Sequence, residues 1–224
     1  MSFQQMCTQL LEGLEMTLII FFLVLIFTLP LGLIVCFGRR SKFKPLSWVV
    51  RVFIDILRGT PLMLQLLVVF YGPFFLFGMN LTKEWRFAAL IIGFVINYAA
   101  YFAEIYRAGI DSIPNGQYEA AEVLGYSRSQ TFMKIILPQM VKRVIPPTTN
   151  EIITLVKDTS MAFVLATTPP EMFTLAKQIT AAGRMGHGAR SMLPLFVAGV
   201  FYFVLNAIVS WAMGKLEKKL AYYQ

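Results

Sequence analysis

Long apolar runs that carry almost no charge constrain this chain more than any other feature of its sequence. The first extends from Leu14 to Phe37 and contains a single charged residue, Glu15. A helix needs about 20 apolar residues to cross the ~30 Å hydrocarbon core of a bilayer, so this run is long enough to do so. Another, from Met192 to Met213, contains no charged residue. The sequence therefore predicts an integral membrane protein.

The composition agrees with this prediction. Of the 224 residues, 57% are hydrophobic, and the mean hydropathy of +0.65 is well above that of a soluble domain. We expect one all-α membrane domain over 1–224, with about five transmembrane helices and no separate soluble domain. The spans are expected at about 14–37, 61–77, 87–107, 150–168 and 192–213. The interval 108–148 is too polar to span and is expected to form a long loop.

Lysine and arginine are unequally distributed over the segments between these spans. The basic-rich set is 39–58, 104–149 and 214–224, and the basic-poor set is 1–13, 78–86 and 169–191. The first set holds fourteen of the twenty basic residues and the second holds five. Because cytoplasmic flanks of membrane proteins carry the excess of Lys and Arg, the N-terminus is expected outside and the C-terminus inside. The net charge of +8 is thereby attributed to membrane topology and not to binding of nucleic acid.

The first half of the polar interval has the pattern of a short helix. Gln117 to Leu124 suits about two turns, which Asn115 or Ser112 can cap. Gly125 can end this helix in the left-handed conformation, where glycine has no steric penalty. A helix this short is not stable alone in water, so it must pack against another surface.

Small residues supply that packing face. Ala120, Ala121 and Leu124 are expected to form one small, flat side of the short helix. A second helix over about 128–136, capped by Ser127, is expected to follow. Pro146-Pro147 are expected to stop the helix that precedes them.

The fixed residues of this interval have a spacing that resembles a known pattern. Glu119-Ala120-Ala121 is followed by three residues, Gly125, nine residues and then Ile135-x-Leu137-Pro138. This is similar to the EAA loop in permease subunits of bacterial ABC importers. Four further motifs extend the resemblance over most of the chain, towards the polar amino acid branch of that family: Arg58-Gly-Thr-Pro61, Ala103-Glu104, Ser112-Ile-Pro114 and Lys157-Asp-Thr-Ser160.

The resemblance implies a type I importer fold that works by alternating access in the bacterial cytoplasmic membrane. It implies that a coupling helix docks on a separate ATPase subunit, and the residues of this element are Gln117, Glu119, Ala120, Ala121, Leu124 and Gly125. The implied partners are two ATPase copies, a second permease subunit that is identical or related, an external amino-acid-binding protein and a polar amino acid. No cofactor is expected on this chain, because ATP and Mg belong to the ATPase.

The fourth predicted span is the most polar. An ionisable group inside a membrane costs several kcal/mol unless it is paired or hydrated, so Glu151, Lys157 and Asp158 need an explanation. Glu151, Thr154 and Asp158 follow each other at i, i+3 and i+7, which places them in one stripe of a helix. Lys157 and Ser160 belong to a neighbouring stripe. A span with such stripes is expected to face a water-filled path.

Two interpretations of these groups remain open. In the first, a carboxylate of this span meets the ammonium of an amino acid substrate and Lys157 meets its carboxylate. In the second, Lys157 pairs with Glu104 of the third span and only fixes helix packing. The polar residues Gln65, Asn97 and Tyr98 are open to the same two interpretations, because such side chains often form hydrogen bonds between membrane helices.

A helix break is predicted at Gly59-Thr60-Pro61. Thr60 can cap a new helix and Pro61 can take its first position. Because rigid helices on either side of a break can move relative to each other, these three residues are a candidate hinge.

Several other functions find no support in the sequence. It contains no G-x-x-x-x-G-K-[ST] loop for ATP, no G-x-S-x-G and no H-E-x-x-H. One histidine and two distant cysteines give no pattern for a metal site. A secondary amino acid transporter or channel subunit, driven by an ion gradient, would account for the charges of the fourth span. It would not account for the 119–138 pattern.

Overall fold

A computed structural model of the chain describes residues 1–186 and 191–221, and all regular structure in these ranges is helical. The all-α prediction is thus confirmed there. The α-helices are α1 (Phe3–Arg39), α2 (Lys44–Gly59), α3 (Leu62–Phe77), α4 (Lys83–Asp111), α5 (Asn115–Val123), α6 (Arg128–Thr131), α7 (Leu137–Asp158), α8 (Met172–Ala181) and α9 (Leu193–Ala221). A π-helical segment, Phe132–Ile136, joins α6 to α7, and a 3-10 segment, Thr159–Leu165, follows α7.

Three helices of the described ranges are long and apolar enough to cross a membrane, namely α1, α4 and the Leu193–Lys219 part of α9. Helices α2 and α3 pass the same test only as a pair, bent by 113° at their junction. Helix α7 is not among these candidates, because charged residues interrupt its apolar positions. A total of five spans therefore stays a prediction.

Several helices begin or end away from the predicted positions. Helix α1 begins at Phe3, well before the expected start at residue 14, because its first turns pack on α8. Helix α7 begins at Leu137, inside the interval 108–148 that was expected to be a loop, and ends at Asp158 instead of 168. The largest differences between predicted and observed helix boundaries thus occur where a polar or short segment packs against a neighbouring helix.

The expected stop at Pro146-Pro147 is wrong, since both prolines lie inside α7. Residues buried on either side of the pair, Val144 and Thr149 among them, pack against the rest of the bundle. This packing outweighs the lost backbone hydrogen bonds, because tertiary contacts often override local propensity. Pro138 lies in the first turn of α7, two residues after the end of the π-helical segment. Proline is tolerated in a first turn because the N–H that it lacks is not needed there.

Helix α4 lies at the centre of the bundle. In its most apolar 18-residue window 61% of the residues are buried, compared with 11% in α9. Glycines bring neighbouring helices close to it: a Cβ on Gly32 of α1 would lie 2.8 Å from the Cβ of Phe102. A Cβ on Gly109 would lie 2.2 Å from Cγ1 of Val144 in α7. Such small-residue contacts are typical of membrane helices, where close packing replaces the hydrophobic effect between helices.

Charged residues collect at one end of the bundle, which we call the basic end. Arg40 forms an ion pair with Asp111, and Arg107 bridges Asp111 and Glu104 at 2.8 and 2.7 Å. Arg143 of α7 also lies at this end, where it donates a hydrogen bond to the Ser112 carbonyl. The network joins the last turns of α1 and α4 to α7.

The opposite end brings the N-terminus together with α8. The Met1 ammonium donates to the Arg184 carbonyl at 3.0 Å, and Gly13 packs on the backbone of Met172. Glu171, which is fully buried, caps α8 by accepting from the Thr174 N–H at 2.7 Å. Burial raises the pKa of this carboxyl. The contacts at the basic end involve the basic-rich segments 39–58 and 104–149, and those at the opposite end involve the basic-poor segments 1–13 and 169–191.

We expect Gly109→Ala to destabilise the protein, because the added methyl group overlaps Val144. Overpacking of this kind costs about 1–3 kcal/mol and should lower the melting temperature of the purified chain in detergent. Gly214→Ala is the matched control, since nothing lies within 4 Å of a Cβ placed there. Adding Val144→Ala should restore part of the loss. Equal melting temperatures for the two single variants would contradict the close α4–α7 contact.

Candidate functional site: a polar cavity and the loop that joins its walls

The loop between α4 and α7 carries the predicted short helix, but its start differs from the expectation. Helix α5 begins at Asn115, which is helical, and Pro114 stands before it without a capping side chain. The Ser112 hydroxyl donates instead to the Gly109 carbonyl at 2.7 Å. Neither proposed cap is therefore used, because Pro114 already holds the extended backbone from which the helix starts.

The end of α5 confirms the prediction for Gly125. Its φ is +77°, in the left-handed region that residues with a side chain rarely adopt. The Tyr126 N–H donates to the Ala121 carbonyl at 3.0 Å, which closes the last turn. Ser127 then caps α6 through a reciprocal bond pair with Gln130, also as predicted.

The predicted flat face of α5 does not form as one surface. Only Ala121 is buried, at 1% exposure, whereas Ala120 is exposed and Leu124 is 72% exposed. Leu124 and its neighbour Val123, which is 88% exposed, form an apolar tip at the end of the helix. Two large apolar side chains presented together on a polar loop are typical of a contact surface for another protein.

The predicted residue Gln117 ties this loop to its second wall. The Gln139 amide of α7 donates to the Gln117 carbonyl oxygen at 3.1 Å, so α5 is linked directly to the first turn of α7. Glu119 is exposed and lies on the same helix. The structure thus keeps the loop residues near α7 and leaves Glu119 accessible.

A cavity of about 530 Å³ lies between α4 and α7 near the basic end. It is lined by both signs of charge: Arg58, Glu104, Arg107, Arg143 and Glu151. The Arg58 guanidinium lies over the ring of Tyr101, another lining residue, at 5.3 Å from its centroid. Among the predicted path residues, Glu151 is the one that contributes to this cavity.

Helices α4 and α7 run antiparallel and meet at two levels. Gly109 meets Val144 near the basic end, and Tyr98 meets Asp158 towards the opposite end. The Tyr98 hydroxyl, on a side chain that is 2% exposed, donates to the Asp158 carboxylate at 2.7 Å. The carboxylate that we expected to be paired or hydrated therefore accepts a hydrogen bond from a neutral donor.

The packing interpretation of Lys157 is wrong in the described part of the chain. Glu104 forms its ion pairs with Arg107 at 2.7 Å and Arg39 at 3.9 Å, and Lys157 is exposed. Thr154 donates to the Asn150 carbonyl of its own helix at 2.9 Å. Ser160 lies in the 3-10 segment and is half-buried. Substrate contacts by these residues stay predictions.

Gln65 and Asn97 bind the α2–α3 junction. The Gln65 amide donates to the Leu57 carbonyl at 2.8 Å and to the Thr60 hydroxyl at 2.8 Å. Asn97 of α4 donates to the Gln65 carbonyl oxygen at 2.9 Å. Both amides thus form hydrogen bonds between helices, as the second of the two interpretations proposed. A contact of either amide with substrate stays a prediction.

The junction itself lies at Gly59-Thr60-Pro61, as predicted, but Thr60 acts differently. Its hydroxyl donates to the Ile56 carbonyl at 2.8 Å and so completes the end of α2, while Pro61 precedes α3. Whether this break acts as a hinge stays a prediction.

Arg58, Tyr101, Arg107 and Arg143 line the cavity, and the sequence did not identify them as site residues. A signal was present for part of the set. Tyr101 and Glu104, and likewise Glu104 and Arg107, are three residues apart, which makes the members of each pair neighbours on the surface of α4. Arg58 belongs to the Arg58-Gly-Thr-Pro61 motif but was not predicted to line a cavity, and no comparable pattern marks Arg143; the two residues come from α2 and α7.

Comparison with known proteins places these features in a family. The sequence model of the family described as "Binding-protein-dependent transport system inner membrane component" matches residues 28–222. The arginine transport system permease protein ArtQ of Bacillus subtilis is 35% identical, over 94% of this chain and 92% of its own length. The L-cystine transport system permease protein TcyB of the same organism is 36% identical, over 94% and 86%.

Solved structures agree with the sequence comparison. An amino acid ABC transporter, crystallised with histidines, contains a chain that matches with a TM-score of 0.85 at 31% identity, over 98% of this chain and 99% of the other. The methionine transporter MetNI matches at 0.69 with 21% identity, a likeness that concerns the fold alone. The loop carries an apolar tip, and a polar cavity lies between the two helices that the loop joins. Taken with these matches, both features agree with one conclusion. The chain belongs to the family of inner membrane components of binding-protein-dependent transport systems, the permease subunits of ABC importers.

Proposed function

We propose that this chain moves a polar amino acid across the bacterial cytoplasmic membrane by alternating access, driven by a separate ATPase. One observation carries the proposal. The loop with the exposed tip connects directly to the two helices, α4 and α7, that form the polar cavity. A force applied to the loop therefore reaches the cavity walls through short connections, residues 112–114 and 124–127. The relatives named for arginine, L-cystine and glutamine transport support an amino acid as the substrate.

The cavity suits a zwitterion. Its lining offers three guanidinium groups and two carboxylates, so the carboxylate and the ammonium of one amino acid can each meet an opposite charge. Arginine binds a carboxylate with two parallel hydrogen bonds, which orients the ligand as well as attracting it. In this scheme Asp158, which lies towards the opposite end, meets the ammonium first, and Glu151, two turns closer to the basic end on α7, receives it at the next step.

The energy for this movement comes from ATP and Mg bound by the partner. Two ATPase copies bind the Leu124 tips of two permease subunits, identical or related, and an external binding protein delivers the amino acid at the opposite end. When the ATPases close, the loop moves with them and tilts α4 against α7. The α2–α3 break at Gly59-Thr60-Pro61 absorbs the change in angle.

An ion-gradient-driven transporter or channel is the other function considered. It would use the charges of α7 equally well, yet it gives the exposed tip of α5 no role. The family match also favours the importer.

Gly125→Val should uncouple transport from ATP hydrolysis, because a β-branched residue is strained at a φ of +77°. We expect normal membrane insertion and a severalfold loss of the ATPase activity that the binding protein stimulates. Gly116→Val is the control, since Gly116 lies in α5 without positive φ and with no atom within 4 Å of an added Cβ. Gly125→Asn should retain activity, because asparagine tolerates the left-handed region. Full coupling in Gly125→Val would exclude the proposed role of this turn.

Asp158→Asn tests the pathway. The amide oxygen can still accept the Tyr98 hydrogen bond, so the free energy of unfolding should change by less than about 1 kcal/mol. The melting temperature of the complex should therefore stay close to that of the original. Uptake of the amino acid should fall more than tenfold, if about 1.4 kcal/mol or more of ammonium binding is lost. Tyr98→Phe is the comparison, since it removes the hydrogen bond and keeps the charge. Unchanged uptake with a lowered melting temperature in Asp158→Asn would give Asp158 a structural role only.

Cysteine labelling tests the orientation. In a chain with Cys7 and Cys36 replaced by serine, a cysteine at exposed Ser129 should react only with reagent on the cytoplasmic side. A cysteine at exposed Gln4 should react only from outside. These positions avoid the capping hydroxyls of Ser2 and Ser127. The reverse labelling pattern would overturn the topology deduced from the positive residues.

A further inference from the structure

A second cavity, separate from the one between α4 and α7, lies where the loop helices meet the end of α1. Its volume is about 520 Å³. Seven of its lining residues are charged or aromatic: Phe37, Arg40, Tyr118, Glu122, Tyr126, Arg128 and Phe132. We call this cavity the interfacial groove. Nothing in the transport scheme above uses it.

The position of the groove along α1 is that of a membrane surface. Phe37 is the last residue of the first apolar run and is 59% exposed. Arg40 follows three residues later, and the adjoining segment continues with Lys42 and Lys44. Arginine, lysine and tyrosine are the residues that membrane proteins place at the level of the lipid headgroups. One wall of the groove thus faces acyl chains and the other faces polar headgroups.

The groove has an excess of positive charge. Arg40 is paired with Asp111, but Asp111 is shared with Arg107, so its carboxylate is divided between two guanidinium groups. Arg128, at the start of α6, is exposed and makes no salt bridge with any carboxylate of the described residues. Glu122 is the single acidic residue among those lining the groove. An anionic ligand would therefore gain more from Arg128 than it would lose to Glu122.

We propose that the interfacial groove binds one anionic phospholipid from the leaflet at the basic end of the bundle. Its phosphate lies between Arg128 and Arg40, which bind phosphate oxygens with paired hydrogen bonds. The tyrosine hydroxyls face the glycerol region, and the acyl chains follow the exposed apolar surface of α1 beyond Phe37. Basic pockets beside membrane helices are suited to such headgroups.

The bound lipid would act on the coupling loop. Tyr118 and Glu122 belong to α5, Arg128 belongs to α6, and Phe37 belongs to α1. A ligand held by all three stabilises the loop helices against the membrane helix. The lipid composition of the membrane would thereby affect how closely movements of the loop are coupled to those of the ATPase.

The test measures lipid binding to the full-length chain by native mass spectrometry after extraction from vesicles of phosphatidylglycerol and phosphatidylcholine. We expect the original chain to retain phosphatidylglycerol selectively. Arg128→Gln should reduce the retained fraction about fivefold, since one basic residue near the surface contributes about 1 kcal/mol. Lys42→Gln is the matched control. This substitution also removes one positive charge from an exposed residue at the basic end, but Lys42 does not line the groove.

Three outcomes would overturn the proposal. Equal losses in Arg128→Gln and Lys42→Gln would mean that only the general charge of this end attracts lipid. Binding of glycerol 3-phosphate that depends on Arg128, without retained phospholipid, would identify a soluble phosphate compound as the ligand. Unchanged lipid retention in Arg128→Gln together with lost binding of the ATPase would make the groove a protein contact. Because lipid retention needs no transport, failure here leaves the proposed transport function unaffected.

Discussion

The close contact of α4 with its neighbours is the interaction on which the rest of this structure depends. Glycines of α1 and α4 allow Phe102 and Val144 to approach at distances that a methyl group would prevent. In lipid, helices gain little from the hydrophobic effect when they associate, so packing at this distance supplies the attraction. Once α4 is held by both α1 and α7, the positions of the cavity, the ion-pair network and the loop follow.

Polar groups inside the bundle are satisfied mainly by neutral hydrogen bonds. Asp158 accepts from Tyr98, and Asn97 donates to Gln65, which in turn closes the α2–α3 break. Among the residues that the structure describes, the salt bridges lie at the basic end, where water and headgroups lower the cost of charge. The α4–α7 cavity is the exception, because it brings Glu151 to guanidinium groups within the bundle. This difference is the reason why we propose the cavity as the site that receives the substrate.

The sequence predicted much of the loop and less of the cavity. Gly125 and Ser127 were identified because each has a local role, in a left-handed turn and a helix cap, that depends only on nearby residues. Leu124 was placed on the packing face of the short helix and is exposed in this chain, since burial of a two-turn helix depends on what it packs against. Arg58 and Arg143 were missed because they reach the cavity from α2 and α7, far apart in sequence.

By itself the sequence determined that the chain is an all-helical membrane protein and which family its loop resembles. These properties depend on apolar length, charge distribution and local backbone chemistry, all of which are present within short segments. Only the tertiary structure decided that α7 continues through Pro146-Pro147, that Tyr98 satisfies Asp158 and that Glu104 pairs with arginines instead of Lys157. Each of these outcomes is set by the angle and distance between separate helices, and such packing has no counterpart in the local order of residues.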